Sequence, residues 1–209
     1  KGKPYKSSGG EMVESELGKM PEGWKSGKII DEFNLTMGQS PPGHSYNEDK
    51  NGFLFFQGRS DFGFRYPTAR MFCTMPTRFA NEGDTLVSVR APIGDVNMAL
   101  EKCCIGRGLA AIKHKTGTRS YTYYLLKNLN TDFRNFESEG TVFGSITKDG
   151  FENLKIIVPP IELIKIFEKA VYSIDQSIEN NTTNTYSLSK IRDSLLPKLM
   201  SGEIRVLVN

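Results

Sequence analysis

The chain has 209 residues, of which 38% are hydrophobic and 11% aromatic, enough for one domain with a real core plus an extension. No apolar run approaches the ~20 residues that cross a bilayer, so a membrane-spanning helix is not expected. The start lacks both an initiator Met and an apolar signal segment, so we expect a fragment or trimmed chain of a cytoplasmic protein.

The cysteines and histidines fit neither a disulfide framework nor a metal site. Cys103 and Cys104 are adjacent, Cys73 is distant in sequence, and no C-x-x-C occurs. His44 and His114 are isolated from each other and from the cysteines. We therefore predict reduced thiols and no bound metal.

Residues 1–23 are polar and rich in Gly, Ser and Glu, which predicts a linker or extended lead-in. Residues 24–159 then alternate short apolar runs with turns, as expected of an α+β domain rich in strands. Residues 28–35 could be a short helix or a strand, and 37–51 and 140–145 are predicted loops. Strands are predicted at 53–57, 72–75, 85–89, 95–99, 109–113 and 154–158, and a helix at 120–129 that 133–137 could extend.

The net charge of +3 is unevenly distributed. Between Gln57 and Arg119 there are ten basic and five acidic residues, and seven of the ten are Arg. Arginine presents a planar fork that suits phosphates and guanine edges. With aromatic residues interleaved, this segment favours contact with nucleic acid, although a solvated surface is the simpler alternative.

Residues 160–202 predict one long helix with a coiled-coil seam. Pro159-Pro160 suits its start and Gly202 its end. A heptad with Ile164 at position a places apolar residues at most a and d positions, and a rod of some 40 residues, roughly 60 Å long, needs another helix to cover that seam. The predicted dimerisation residues are Ile164, Phe167, Val171, Ile174, Ile178, Asn181, Thr185, Leu188, Leu195 and Leu199.

The middle of this helix is rich in Ser, Thr and Asn, which are mediocre helix formers. A helical hairpin, or a helix folded back on its own domain, is therefore an alternative. The unbroken heptad phase favours one continuous helix, with Asn181 and Thr185 as polar layers that fix register. Pro197 is expected to kink only the last turns, and residues 203–209 form a tail.

Enzyme motifs are incomplete. Ser40-Pro41-Pro42-Gly43 lacks the aromatic ring of the amino-methyltransferase tetrapeptide. Glu48-Asp49-Lys50 has a nuclease-like spacing but lies in a hydrated turn. No P-loop lysine or nucleophile elbow is present. We predict no catalytic residue and a recognition or scaffolding role.

Read in order, several motifs resemble the specificity (S) subunit of type I restriction–modification enzymes. The match runs through the lead-in ending in Pro21-Glu22-Gly23-Trp24, then Gly38-Gln39-Ser40-Pro41-Pro42 and Val89-Arg90-Ala91-Pro92-Ile93-Gly94. Its most specific part is the helix terminus Leu195-Leu196-Pro197-Lys198-Leu199-Met200-Ser201-Gly202. The resemblance covers essentially the whole chain.

The resemblance implies a fold and a mechanism. Such subunits carry two β-rich target-recognition domains, each reading one half of a bipartite site in double-stranded DNA, and two long helices that pair as an antiparallel coiled coil. The helices act as a spacer ruler and dock methyltransferase (M) and restriction (R) subunits. S-adenosylmethionine, ATP and Mg²⁺ belong to those partners, so the specificity chain itself needs no cofactor.

This chain has one recognition domain and one helix. It is therefore expected to be either a natural half-subunit that forms a homodimer through the helix, or the C-terminal half of a longer subunit. The alternatives are the recognition piece of a fused restriction–methylation enzyme, or a coiled-coil scaffold that does not bind DNA. Candidate DNA-binding residues are Gln39, Ser40, Tyr46, Gln57, Arg59, Arg65, Arg78, Arg90, Thr141, Ser145 and Lys148. Arg90 and Arg107 could instead be buried partners of core carboxylates.

Overall fold

The computed structural model describes residues 10–130, 133 and 144–205. It comprises two units, Lys1–Val171 and Tyr172–Asn209. Apart from Phe133, the predicted extension of the helix at 133–137 lies outside the described residues, as does most of the predicted loop at 140–145.

The first unit is the predicted strand-rich α+β domain. Its strands are β1 (Met12–Ser15), β2 (Gly18–Pro21), β3 (Lys25–Lys28), β4 (Phe33–Met37), β5 (Tyr46–Asn47), β6 (Phe53–Phe56), β7 (Met71–Cys73), β8 (Phe79–Ala80), β9 (Thr85–Ser88), β10 (Val96–Met98), β11 (Cys103–Ile105), β12 (Leu109–His114) and β13 (Lys155–Val158). Its helices are α1 (Ile29–Glu32), α2 (Arg119–Asn128), α3 (Lys148–Glu152) and the start of α4 (Ile161–Met200).

Two sheets form the body of this unit. One has the strand order β10-β9-β12-β4 and is antiparallel throughout. The other has the order β5-β7-β6-β11-β8, in which β6 and β11 are parallel. Two-stranded ribbons join β1 to β2 and β3 to β13.

The central strands β9 and β12 of the four-stranded sheet are covered on both faces, and all of their residues except Lys113 are buried. Leu86 and Ala111 on one face belong to a cluster that includes Ile105 of the other sheet. Val87 and Ile112, one residue along, point to the opposite face. There they pack in the main core, whose other members include Phe33, Tyr121, Leu126, Phe133, Phe151, Ile156 and Ile164.

The lead-in differs from the predicted linker. Residues 12–21 form the β1–β2 hairpin, with Gly18 in the left-handed conformation (φ 90°) that its turn requires. Glu16 accepts hydrogen bonds from Ser26 and from Lys155, so the hairpin is joined to the ribbon of β3 and β13. The hairpin has little apolar surface, because its residues are exposed or half-buried, and hydrophobic periodicity therefore gave no signal.

The long helix α4 is continuous over 40 residues, about 60 Å, so the helical hairpin is excluded. The Ser and Thr hydroxyls of its middle donate to main-chain carbonyls four residues earlier, as from Thr182 to Ile178 at 2.8 Å and from Thr185 to Asn181 at 2.7 Å. These bonds satisfy the side chains without interrupting the helix. The helix continues through Pro197, and Gly202 follows its end at φ 76°.

The three cysteines are free, as predicted, and all three are buried. Burial raises the pKa of the Cys103 thiol to about 12, and it also raises the pKa of Cys104. Both thiols therefore stay protonated at neutral pH and act as small apolar core residues.

His114 is buried at the end of β12 as a neutral ring. The Thr116 N–H donates to Nδ1 at 3.2 Å, so the ring proton sits on Nε2, which has no hydrogen-bond partner among the described residues. Burial lowers the pKa of His114 below its ordinary 6.5, and Lys115 adds to this, whereas Glu32 and Glu168 oppose it. Folding therefore disfavours protonation of this ring.

This environment predicts a loss of stability in mild acid. Below pH 6.5 the unfolded chain binds a proton at His114 that the folded chain does not, so the free energy of unfolding falls, by at most about 1.4 kcal/mol per pH unit. Urea unfolding between pH 5 and 8 should show a flatter profile for His114→Gln. His44→Gln, at an exposed site, is the control. Identical profiles for both variants would contradict the assignment.

Candidate nucleic-acid interface

Six strand ends meet at one edge of the two sheets. In the four-stranded sheet, β4 and β9 end where β12 begins, because Met37 pairs with Ala110 and Ser88 with Leu109. The N-terminal end of β10 lies on the same side, since Val96 pairs with Val87. In the other sheet, β6 and β11 run parallel and both end at this edge.

Main-chain hydrogen bonds join the loops that follow these strands. Gln39 N–H donates to Ile105 O at 3.0 Å, Gly106 N–H to Phe56 O at 2.8 Å, and Val89 N–H to Gly108 O at 2.9 Å. We call the joined segments 38–40, 57–59, 89–91 and 105–108 the loop edge. Because the loops are bonded to one another, their side chains project from a fixed backbone.

Glycine makes this close approach of the loops possible. A Cβ atom on Gly38 would lie 2.1 Å from the carbonyl oxygen of Gly106, and one on Gly108 would lie 2.5 Å from that of Gln57. Both atoms belong to backbone, which cannot rotate away as a side chain does. The loop edge therefore depends on glycine at these two positions.

The structure brings most of the predicted DNA-binding residues together. Gln39, Ser40, Gln57, Arg59 and Arg90 lie on the loop edge itself. Three other predicted residues adjoin it: Arg78, whose carbonyl accepts from Ile105 N–H at 3.0 Å; Tyr46, whose hydroxyl donates to Pro41 O at 2.7 Å; and Ser145, in a β-bridge with Arg90. Lys148 lies at the start of α3.

Three arginines at this surface have exposed side chains and no recorded ion pair within the described part of the chain: Arg78, Arg90 and Arg107. The alternative in which Arg90 and Arg107 are buried partners of core carboxylates is therefore wrong. Two other arginines nearby are paired, Arg59 with Asp95 at 2.5 Å and Arg70 with Asp61 at 2.9 Å. The surface thus carries free positive charge.

Arg107 was not among the predicted DNA-binding residues, although it lies in the middle of the loop edge. Its N–H donates to Ser40 Oγ at 3.3 Å. Burial raises the pKa of Tyr46, and the charge of Arg107 opposes that rise. The only sequence signal was an arginine between two glycines, Gly106-Arg107-Gly108, which identifies a turn but not its neighbours.

Arg65 requires a correction. It is only 5% exposed, its guanidinium lies 4.0 Å from the ring centroid of Tyr123, and it donates to the Tyr124 hydroxyl at 2.8 Å. A guanidinium stacked on aromatic rings and hydrogen-bonded inside the domain is held by its own fold. We therefore exclude Arg65 from the candidate interface.

Thr141 lies outside the described residues. Lys148 is exposed and pairs with Glu152 at 3.4 Å within α3.

Among the residues that the structure describes, no group of three His, Cys, Asp or Glu side chains could hold a metal ion. No helix in the described ranges is long and apolar enough to span a membrane.

At the start of α4, the first predicted seam residues pack on the domain and do not form an open seam. Ile164 is 2% exposed and belongs to the core of the domain, so it cannot contact a partner helix. The heptad placed it at the seam because a helix residue that packs on its own domain has the same spacing as one that faces a partner. Phe167 packs edge to face on Tyr124 of α2, with ring centroids 5.9 Å apart.

Beyond these first turns, the apolar side chains of α4 are largely exposed. Ile174, Leu188, Leu195 and Leu199 of the predicted seam lie in the second unit and are accessible, whereas Val171 and Ile178 are half-buried. Asn181 and Thr185 are exposed as well. Ile191 and Leu196 flank the seam, so the uncovered apolar stripe is wider than two heptad positions.

The chain therefore combines a strand-rich domain, whose loops are joined and carry exposed arginines, with a long helix that has an apolar stripe. The family model described as "Type I restriction modification DNA specificity domain" matches residues 21–185. The chain belongs to this family, which confirms the resemblance found in the sequence.

Known proteins agree with this assignment. The chain is 38% identical to the putative type I restriction enzyme MjaX specificity subunit of Methanocaldococcus jannaschii, over 92% of this chain and 46% of that protein. A solved chain in work on complex assembly and conformational transition of the type I R-M system is 35% identical, with a TM-score of 0.65 over 86% of this chain and 46% of that chain.

The crystal structure of the HsdS subunit from Thermoanaerobacter tengcongensis is 33% identical, with a TM-score of 0.65, and the match covers 91% of this chain and 48% of that chain. The chain therefore spans about half the length of the relatives it matches. The fold is the predicted one, a mixed strand-rich domain followed by a long C-terminal helix.

Proposed function

We propose that this chain recognises double-stranded DNA as part of the specificity subunit of a type I restriction–modification enzyme. In this role the domain reads one half of a bipartite site and catalyses no reaction itself. The observation that carries the proposal is the loop edge, where exposed polar and arginine side chains project from a rigid backbone next to one another. Arginine and glutamine there can make bidentate contacts to guanine and adenine edges.

The helix would supply the spacing between two half-sites. Its exposed apolar stripe supports pairing with a second long helix, either from another copy of this chain or from a second recognition domain of a longer subunit. In an antiparallel pair, the helix length would set the distance between the two domains. We further propose that the helices dock methyltransferase and restriction subunits in the cytoplasm, and that those partners alone use S-adenosylmethionine, ATP and Mg²⁺.

The experiment that tests DNA recognition is selection from a randomised duplex library, with the chain reconstituted with its methyltransferase subunits. Enrichment of two short motifs separated by a constant gap is expected, and a palindromic arrangement would identify a homodimer. Binding should also weaken steeply between 50 and 200 mM salt, because several phosphate contacts release counterions. If no motif is enriched and DNA binding does not depend on salt, the proposal is contradicted and a protein-binding scaffold is favoured.

Helix pairing is tested separately by sedimentation at tens of micromolar. A dimer is expected for the chain alone, and replacing Ile174 and Leu188 with glutamate should convert it to a monomer. Replacing Ser173 and Ser187, exposed neighbours on the same helix, with glutamate is the matched control. A monomeric parent chain would contradict pairing between two copies while leaving pairing within a longer subunit possible.

A further inference from the structure

Phe64 is the most exposed large hydrophobic side chain described, with 88% of its surface accessible. A phenylalanine in water forgoes the favourable free energy that burial of its ring would provide. Such a residue on a disordered loop would mean little. Here, however, the loop that carries it is fixed on both sides.

The anchors on either side of Phe64 are buried. On its N-terminal side, the Asn97 amide, 1% exposed, accepts from Gly63 N–H at 3.3 Å and donates to Gly63 O at 3.0 Å. On its C-terminal side, Arg65 is stacked on Tyr123, and its carbonyl accepts from Met98 N–H at 2.9 Å. The buried Arg65 thus fixes the backbone next to Phe64, so that the Phe64 side chain stays exposed.

The turn itself leaves no room for a larger residue at Gly63. A Cβ atom there would lie 2.6 Å from the carbonyl oxygen of Tyr66. The loop therefore closes tightly on itself beneath the Phe64 ring. A rigid loop presents its apolar tip without an entropic cost on binding.

The surroundings of Phe64 are polar and basic. It borders an open cleft of about 260 Å³ that is lined also by Arg59, Lys127 and Asn130. Lys127 is exposed, and the negative charge of Asp95 in the same cleft is neutralised by Arg59. Asn130 donates to Gly94 O at 3.3 Å, in the turn between β9 and β10, so the cleft lies beside the loop edge.

We propose that Phe64 inserts between bases of duplex DNA while the loop edge contacts the groove. Apolar wedges of this kind partly unstack a base step and need basic side chains nearby to hold the phosphates. Insertion would contribute affinity without reading sequence, since every base offers a π face. The proposal rests on the proposed DNA-binding function and assigns to Phe64 a role that the loop edge does not fill.

The test uses mixed-sequence duplex DNA of 30 base pairs as the probe and the full chain as the protein. Binding is measured by fluorescence anisotropy of labelled DNA for the parent and for Phe64→Ala. An affinity loss of up to about tenfold is expected, because the stacking lost with Phe64 is partly offset by the base step that no longer has to be unstacked. Ile30→Ala removes a 45%-exposed apolar side chain in α1, beside the start of β4 and so at the end of that strand opposite the loop edge, and should leave affinity unchanged.

A second measurement reports stacking directly. Phe64→Trp is made in a Trp24→Phe background, which removes the one natural tryptophan. Quenching of the introduced indole by unlabelled duplex supports insertion. DNA binding with no quenching and no effect of Phe64→Ala overturns insertion but leaves DNA recognition intact, whereas a parent that binds no DNA overturns both. Unchanged DNA affinity with lost binding of methyltransferase subunits would assign Phe64 to a protein interface instead.

Discussion

Replacing Arg78, Arg90 and Arg107 together with alanine is expected to lower the affinity for specific DNA about 100-fold, because each direct contact contributes at least ~1 kcal/mol. These side chains are exposed and have no recorded ion pair within the described part of the chain, so their charge is available to a ligand. Their removal should leave the fold intact. The slope of log affinity against log salt should fall by about 3, since each phosphate contact adds ~0.9.

The matched control removes the same charge elsewhere. Lys19, Lys25 and Lys113 are exposed, and Lys113 lies near the end of β12 opposite the loop edge. Alanine at these three positions should change both the affinity and the salt slope much less. Equal effects of the two triple variants would mean that the net charge of the protein attracts the DNA and that the loop edge does not contact it specifically. Thermal unfolding of both variants checks that neither loses the fold.

Replacing Glu168 with alanine is expected to destabilise the domain by about 3 kcal/mol, because hydrogen bonds to a charged group contribute ~1.5–3 kcal/mol each and water replaces them only in part. The Glu168 carboxylate accepts from the N–H groups of Arg119, Ser120 and Tyr121 at 2.8, 3.0 and 3.0 Å. These three N–H groups belong to the first turn of α2. The side chain of the N-cap residue, Thr118, does not accept a hydrogen bond from any of them. A residue of α4 thus caps another helix.

Urea unfolding followed by intrinsic fluorescence measures this effect. Glu162→Ala is the matched control, because Glu162 lies on the same helix, is well exposed and, among the described residues, pairs with Lys165 at 3.6 Å. Such a surface pair contributes about 0–1 kcal/mol. Glu168→Gln should fall between the two, since an amide oxygen can still accept but carries no charge. A Glu168→Ala variant as stable as Glu162→Ala would exclude the cap.

Elements with a strong apolar signal were predicted to within a residue or two. The strands β9 and β12 are buried on both faces, and each has a short apolar run, Leu86-Val87 and Leu109–Ile112, that stands out from the turns around it. The helix α2 was found from its apolar spacing and α4 from its heptads. In contrast, β5 and β8 have two residues each, too few for any periodicity, and the β1–β2 hairpin has no buried face.

The sequence predicted which residues could bind DNA, but not which of them lie together on one surface. An excess of arginine and the order of motifs suggested DNA recognition, and the family model confirms the family that the motifs indicated. Sequence alone could not separate Arg65 from Arg90, because both are arginines of the same basic segment. Only the fold shows that one is stacked beneath the loop of Phe64 and the other is exposed at a strand end.

What could be read from the chain itself was local: which segments are helix or strand, and which family they belong to. Such features depend on neighbouring residues, since periodicity and capping act over a few positions. Tertiary structure decided which strand ends meet, that Arg107 joins Ser40, that Ile164 packs in the core, and that Glu168 caps α2. Each of these joins residues far apart in sequence, and their pairing depends on how the sheets and helices pack together.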